Sequence, residues 1–231
     1  MDTAVITGAS RGIGRAVATE FAQQGVHVVA CARDGEAIDD VAVRIERDGG
    51  SITAIRADVR DEFDLERLME TAARVGDSGG IGCVVANAGV YHGTPGETPI
   101  DGVSYSAFDD MIRTNVRGVF GTIRESIPHL RADARVLVPS GSIARQAIAG
   151  YGAYAVSKAA AEAVVRQFTA DTPLTAAVLD IGQVATELTD HAGGRTPEDI
   201  APMFWWAATE ADADAIRGTV VEVTEWREVT R

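Results

Sequence analysis

"TAVITGASRGIGRAVATEF", residues 3–21, is the stretch from which the rest of the chain can be read. Thr3 to Thr7 is a short run of apolar and β-branched residues, the pattern of a buried strand. Gly8, Gly12 and Gly14 follow, and apolar residues then recur at helical spacing over 13–24. A strand that turns through glycines into a helix brings backbone N–H groups and a helix N-terminus to one point, where a phosphate or pyrophosphate can bind. The spacing G-x-x-x-G-x-G differs from the commoner G-x-G-x-x-G. Three glycines alone are a weak signal, and the strand before and helix after them give this one its weight.

The same alternation continues outward. Strand-like runs at 3–7, 27–32, 52–57, 81–86, 135–139, 175–180 and 218–223 are separated by helix patterns at 13–24, 35–48, 62–75, 105–131, 152–171 and 198–210. Near-continuous apolar strands between helices predict an α/β fold: a Rossmann-like, doubly wound parallel sheet of about seven strands with helices on both faces. A length of 231 residues suits one domain over the whole chain.

Composition narrows the partners. The formal net charge is −13, from 34 acidic against 21 basic residues, which disfavours nucleic acid and anionic lipid. No apolar run reaches the ~18 residues of a membrane span. The opening residues, "MDTAVITGAS", lack the pattern of a secretory signal, so a cytoplasmic location is expected. Cys31 and Cys83 sit in strand-like runs and read as buried hydrophobes. His27, His92, His129 and His191 show no metal-ligand spacing, so no metal is expected. Of the 21 basic residues only Lys158 is a lysine. An acidic, lysine-poor chain fits a salt-adapted host or a GC-rich genome, and both readings stay open.

Six short stretches then appear in order. "TGASRGIG" (7–14) opens the chain; Asp58 and Val59 follow the third strand; "NAG" (Asn87, Ala88, Gly89) follows the fourth. "NVRG" places Asn115 in the long helix, "YAVSK" spans 154–158, and "IGQVAT" spans 181–186. Together they resemble the short-chain dehydrogenase/reductase family. The resemblance implies an oxidoreductase that passes a hydride between a nicotinamide cofactor and a small carbonyl or alcohol substrate. Residues up to about 140 would serve mainly the cofactor and the remainder the chemistry, in a homodimer or homotetramer.

Carried onto this sequence, the resemblance puts Gly8, Ser10, Arg11, Gly12, Ile13 and Gly14 at the pyrophosphate. Asp58 and Val59 would lie at the adenine, with Asn87, Ala88 and Gly89 along the cofactor. Gly182, Val184 and Thr186 would flank the nicotinamide. At the end of strand 2, "VVACARD", Ala32 takes the place where an acid would hold the ribose hydroxyls, and Arg33 follows it. Arg33 and Arg11 suit a 2′-phosphate, so NADP(H) is expected over NAD(H); the alternative is that Asp34 takes the ribose.

Tyr154 and Lys158, four residues apart on a helix, share a face. Tyrosine is a poor base near neutrality, and a nearby cation in a desolvated cleft lowers its pKa. The resemblance makes Tyr154 the acid/base, with Lys158 lowering its pKa and binding the nicotinamide ribose as part of the cofactor site. Asn115 would hold a relay water. A serine should stabilise the substrate oxygen, but the family's usual position falls on Gly141, between Ser140 and Ser142; strand register favours Ser140. Two further departures stand out. The proline expected after strand 6 is replaced by Ile181, and the lid "ELTDHAGGRT" (187–196), with its "AGG" hinge at 192–194, is short. They motivate an alternative: an NADP(H)-binding sensor of the same fold with little or no turnover.

Overall fold

The computed structural model describes residues 1–75, 79–191 and 193–230; Ala192 of the expected hinge lies outside them. Seven parallel strands form one sheet in the order β3-β2-β1-β4-β5-β6-β7. They are β1 (Thr3–Thr7), β2 (His27–Ala32), β3 (Ser51–Arg56), β4 (Ile81–Val85), β5 (Leu130–Ser140), β6 (Thr175–Asp180) and β7 (Val220–Glu222). Strands buried on both faces need apolar side chains at every position, and every residue of β1 and β4 is buried.

The two faces carry separate cores. On one, Ile6, Val28 and Leu179 pack with Phe21 of α1 (Gly12–Gln23), Ile38 of α2 (Gly35–Arg47) and Phe204 of α7 (Pro197–Thr209). On the other, Val5, Val84 and Val136 meet Leu68 of α3 (Glu62–Val75), Ile123 of α5 (Gly118–Ser126) and Val165 of α6 (Gly152–Asp171). The start of α7 follows from its sequence: Thr196 and Asp199 form a reciprocal capping box around Pro197.

Three expectations are corrected. The long helix predicted over 105–131 is α4 (Tyr105–Met111), a π-helical turn (Ile112–Arg117), α5 and a 3-10 turn (Ile127–His129). Pro128 in that last turn ends the helix, and β5 therefore starts at Leu130, with a register shift against β4 between Ile81 and Cys83. The last strand is only Val220–Glu222, because the chain turns into α9 (Val223–Val229), a helix the sequence reading did not foresee, as it did not foresee α8 (Ala213–Ile216).

Candidate active site

Between β1 and β4 the connections leave the sheet in opposite directions, which opens a crevice at the C-terminal strand ends. A cleft of about 770 Å³ lies there. At one end the glycine loop packs backbone against backbone. A Cβ on Gly14 would stand 2.3 Å from the Gly8 carbonyl oxygen and 2.5 Å from Asn87 Nδ2, and one on Gly8 (φ +66°) would stand 2.7 Å from Ala88 Cα. Asn87 braces this contact: its Nδ2 donates to the carbonyls of Thr7 (2.9 Å) and Gly8 (3.1 Å). Thr7 Oγ1 accepts from the N–H groups of Asn87 and Ala88, both at 3.1 Å.

Ser10, Arg11, Gly12 and Ile13 line the cleft where α1 begins. That helix has neither a side-chain cap nor an acid in its first turn, so its N–H groups and positive dipole end are left for an anion. Arg33 lines the same end; neither it nor Arg11 forms a salt bridge with a described carboxylate, although Arg33 lies near enough to Asp58 to favour its charge. Asp34, by contrast, caps α2, with Oδ1 accepting from Ala37 N–H at 3.1 Å. Thr114 Oγ1 is buried on the cleft wall without a partner among the described residues. The tight loop, open helix end, unpaired guanidinium groups and orphaned hydroxyl fit an elongated, phosphate-bearing dinucleotide.

Asp58 departs from its expected place. Its carboxylate is held by Arg60 (2.6 Å), which also reaches Asp110 (2.7 Å). Partial burial works against the charge, yet the Arg60 hydrogen bonds hold the carboxyl below its ordinary range. Val59, not Asp58, lines the main cleft; Asp58 faces a smaller cavity beside Arg33, Arg56 and Arg67. A basic residue two positions on was the overlooked signal.

At the other end α6 presents Tyr154 and Lys158. Lys158 Nζ donates to the Pro139 carbonyl (3.0 Å) and lies 5.7 Å from the centroid of the Tyr154 ring. Burial lowers the lysine to about 8, against an upward pull from Glu162. Burial also raises the Tyr154 phenol well above its usual value, helped by Tyr91 and Tyr151. The shift in the protein alone is therefore upward, opposite to the expected lowering. Tyr91, which the sequence reading passed over, stacks on Tyr154 with centroids 4.7 Å apart, anchored through its hydroxyl to the Thr94 and Gly150 carbonyls.

Asn115 sits in the π-helical turn and is buried. Its Oδ1 accepts from Val90 N–H (2.8 Å), and its Nδ2 donates to the Val90 carbonyl and to Ser157 Oγ, both at 2.9 Å. The side chain thus ties the segment after "NAG" to α6 and does not itself line the cleft. The two serines also separate. Ser140 is buried, with Oγ donating to Glu162 Oε1 (2.7 Å). Ser142, half-buried on the cleft wall, makes no side-chain hydrogen bond to a described residue. Both serines line the cleft; the Ser140 hydroxyl is engaged by Glu162, whereas the Ser142 hydroxyl has no partner among the described residues.

Beyond β6, Gly182, Val184 and Thr186 line the cleft beside Lys158 and the glycine loop. Val184 forms an isolated parallel bridge with Arg195. Thr186 and Thr189 cap the turn between them, with Thr186 N–H donating to Thr189 Oγ1 (3.0 Å). Leu188 and Thr189 form the wall there. Among the described residues no group of three or more His, Cys, Asp or Glu is placed to hold a metal ion, and no helix is long and apolar enough to cross a membrane.

A family model described as short chain dehydrogenase matches residues 2–194. The short chain dehydrogenase/reductase AacuN of Aspergillus aculeatus is 36% identical over 171 residues, covering 73% of this chain and 62% of its own; the chain thus spans under two thirds of that relative's length. The NADPH-dependent aldehyde reductase 2, chloroplastic, of Arabidopsis thaliana is 29% identical over 94% of this chain and 90% of its own. An alcohol dehydrogenase from Thermococcus sibiricus, solved with 5-hydroxy-NADP, superposes with a TM-score of 0.84 at 27% identity, covering 96% of each chain. With the seven-stranded sheet and the cleft at its switch point, these matches place the chain in the short-chain dehydrogenase/reductase family.

Proposed function

We propose that the chain is an NADP(H)-dependent oxidoreductase that interconverts a neutral, largely apolar carbonyl compound and its alcohol. The observation that carries this reading is one continuous cleft with the glycine loop and two unpaired arginines at one end and Tyr154 and Lys158 at the other. The dinucleotide supplies the hydride when bound. Arg11 and Arg33 hold its 2′-phosphate, since the nearby acid, Asp34, is spent on a helix cap. The Arabidopsis relative named for NADPH and the Thermococcus structure with 5-hydroxy-NADP agree with that choice.

The chain's own residues do the rest. Tyr154, a phenol that carries its proton near neutrality, gives it to the developing alkoxide. Lys158, tethered through one donor to Pro139, has two others for the ribose hydroxyls. Ser142 donates to the substrate oxygen. Around that point Val90, Pro95, Ile143, Ile148 and Leu188 make apolar walls, with Lys158 and Glu187 the charged side chains beside them. The apolar side chains make burial of a charged substrate group costly, which favours a neutral substrate. Phe120 of α5 and Val156 of α6 are exposed, on the helices through which a homodimer or homotetramer would pack.

Incubation of the purified protein with NADPH and a panel of neutral ketones, aldehydes and quinones tests the reading. NADPH oxidation is expected, with a KM at least about tenfold below that for NADH. A preference for NADH removes the phosphate assignment, and cofactor binding without oxidation across the panel favours the sensor.

Two further outcomes follow from the site. Ser142→Ala should lower kcat about a hundredfold, whereas Ser140→Ala, which removes a bond to Glu162, should cost less than about fivefold; the reverse order restores the assignment from register. In a pH series, kcat/KM for NADPH should be level near neutrality and fall above about 8 as the free enzyme's Lys158 loses its proton. The sign follows from the lysine's lowered pKa: the cation is present below that value and lost above it. A level profile to pH about 9.5 would remove the lysine from this role.

A further inference from the structure

Beneath the cleft lies a buried charge cluster that the proposed chemistry does not use. Arg145 follows the 3-10 turn Ser142–Ala144 and reaches inward, Nη1 to Glu162 Oε1 and Nη2 to Asp180 Oδ2. Both carboxylates are almost fully enclosed, with side chains 2% and 9% exposed. Glu162 lies one helical turn beyond Lys158 and also accepts from Ser140 Oγ at 2.7 Å. Asp180 ends β6, opposite Ser140 in register, and its Oδ1 accepts from Gly182 N–H at 3.0 Å. One guanidinium therefore joins the turn that carries Ser142, the helix that carries Tyr154 and Lys158, and the strand end that leads to Gly182.

We propose that Arg145 is a positioning residue: by gripping Glu162 and Asp180 together, it fixes the Ser142 turn and the Ile181–Gly182 segment against α6. The inference rests on the function proposed above. Both departures from the family's pattern, the displaced serine and the missing proline, meet at this cluster. Where proline would fix the backbone after β6 through its ring, Asp180 fixes it through a hydrogen bond to Gly182, and Arg145 fixes Asp180. The serine displaced by Gly141 is held by the same side chain, three residues along the turn. Arg145 also neutralises Glu162, which otherwise faces Lys158 across one helical turn and would draw the ammonium from the cleft.

The planar fork of arginine reaches two carboxylates at once; the compact ammonium of lysine keeps the charge but cannot span both. Arg145→Lys is therefore expected to stay folded and to bind NADPH within about threefold of the parent, while kcat falls at least about tenfold through lost orientation. In the same variant, hydrogen exchange at the amides of 142–145 and of Gly182 should quicken about tenfold, with the amides of β1 and α1 unchanged. Unchanged exchange at those amides overturns the proposal whether or not the protein turns over. In an active protein, so does a kcat within about twofold of the parent. If the parent oxidises NADPH with no carbonyl, the proposed function has failed, and the exchange result alone decides the structural role of Arg145.

Discussion

Tyr154→Phe is expected to lower kcat for carbonyl reduction about a thousandfold, the scale of a lost general acid, with fold and NADPH affinity retained. The structure allows so clean a separation. The Tyr154 hydroxyl makes no hydrogen bond to a described residue, so its removal leaves no buried donor or acceptor unpaired. The ring that remains still stacks on Tyr91, whose own hydroxyl is anchored elsewhere. Unfolding temperature and NADPH dissociation constant should thus stay close to the parent's while turnover collapses. The same hydroxyl gives the proton in reduction and takes it in oxidation, so the loss should appear in both directions. Turnover of Tyr154→Phe within about tenfold of the parent would mean that another group supplies the proton.

How much of this was legible in sequence depends on the range of the interactions involved. The strand, glycine loop and helix at 3–23 could be read because period, β-branching and glycine spacing are local signals, and all seven strands were located by the same means. The π-helical turn at Ile112–Arg117 was not, since its residues are ordinary helix formers and the widening is a matter of which carbonyl each N–H meets. The choice between Ser140 and Ser142 was likewise hidden. It turns on Glu162, more than twenty residues away in sequence and beside Ser140 only once α6 packs on β5. The pairing of Asp58 has a nearer cause: Arg60, two residues on, takes its carboxylate. Arg145 carried no motif at all. Its meaning lies in two carboxylates that β6 and α6 bring together, so the sequence showed the departures at Gly141 and Ile181 without showing what offsets them.

Gly14→Ala is expected to destabilise the protein by about 3 kcal/mol, the upper part of the range for overpacking, and to raise the NADPH dissociation constant at least about a hundredfold. At an ordinary helical site the same substitution stabilises by roughly 0.5–1 kcal/mol, so the sign itself is diagnostic. Gly14 has no positive φ to protect; the cost is contact alone. The new methyl group would stand 2.3 Å from the Gly8 carbonyl oxygen and 2.5 Å from Asn87 Nδ2. Neither can yield cheaply, because Asn87 holds Gly8 and Thr7 by three hydrogen bonds, and moving one of these groups moves the others. For a chain of this size about 3 kcal/mol corresponds to a fall of about 6–12 °C in unfolding temperature. Any relief must come from lifting the glycine loop away from Asn87, which spoils the approach of the α1 N–H groups to a pyrophosphate. Gly35→Ala, in the first turn of α2, is the matched control. There a Cβ meets nothing closer than Arg56 Cδ at 3.4 Å, and stability should stay within about 1 kcal/mol. Should Gly14→Ala melt and bind NADPH like the parent, the loop does not depend on backbone contact at Gly14, and the glycine spacing that opened the sequence loses its physical reason.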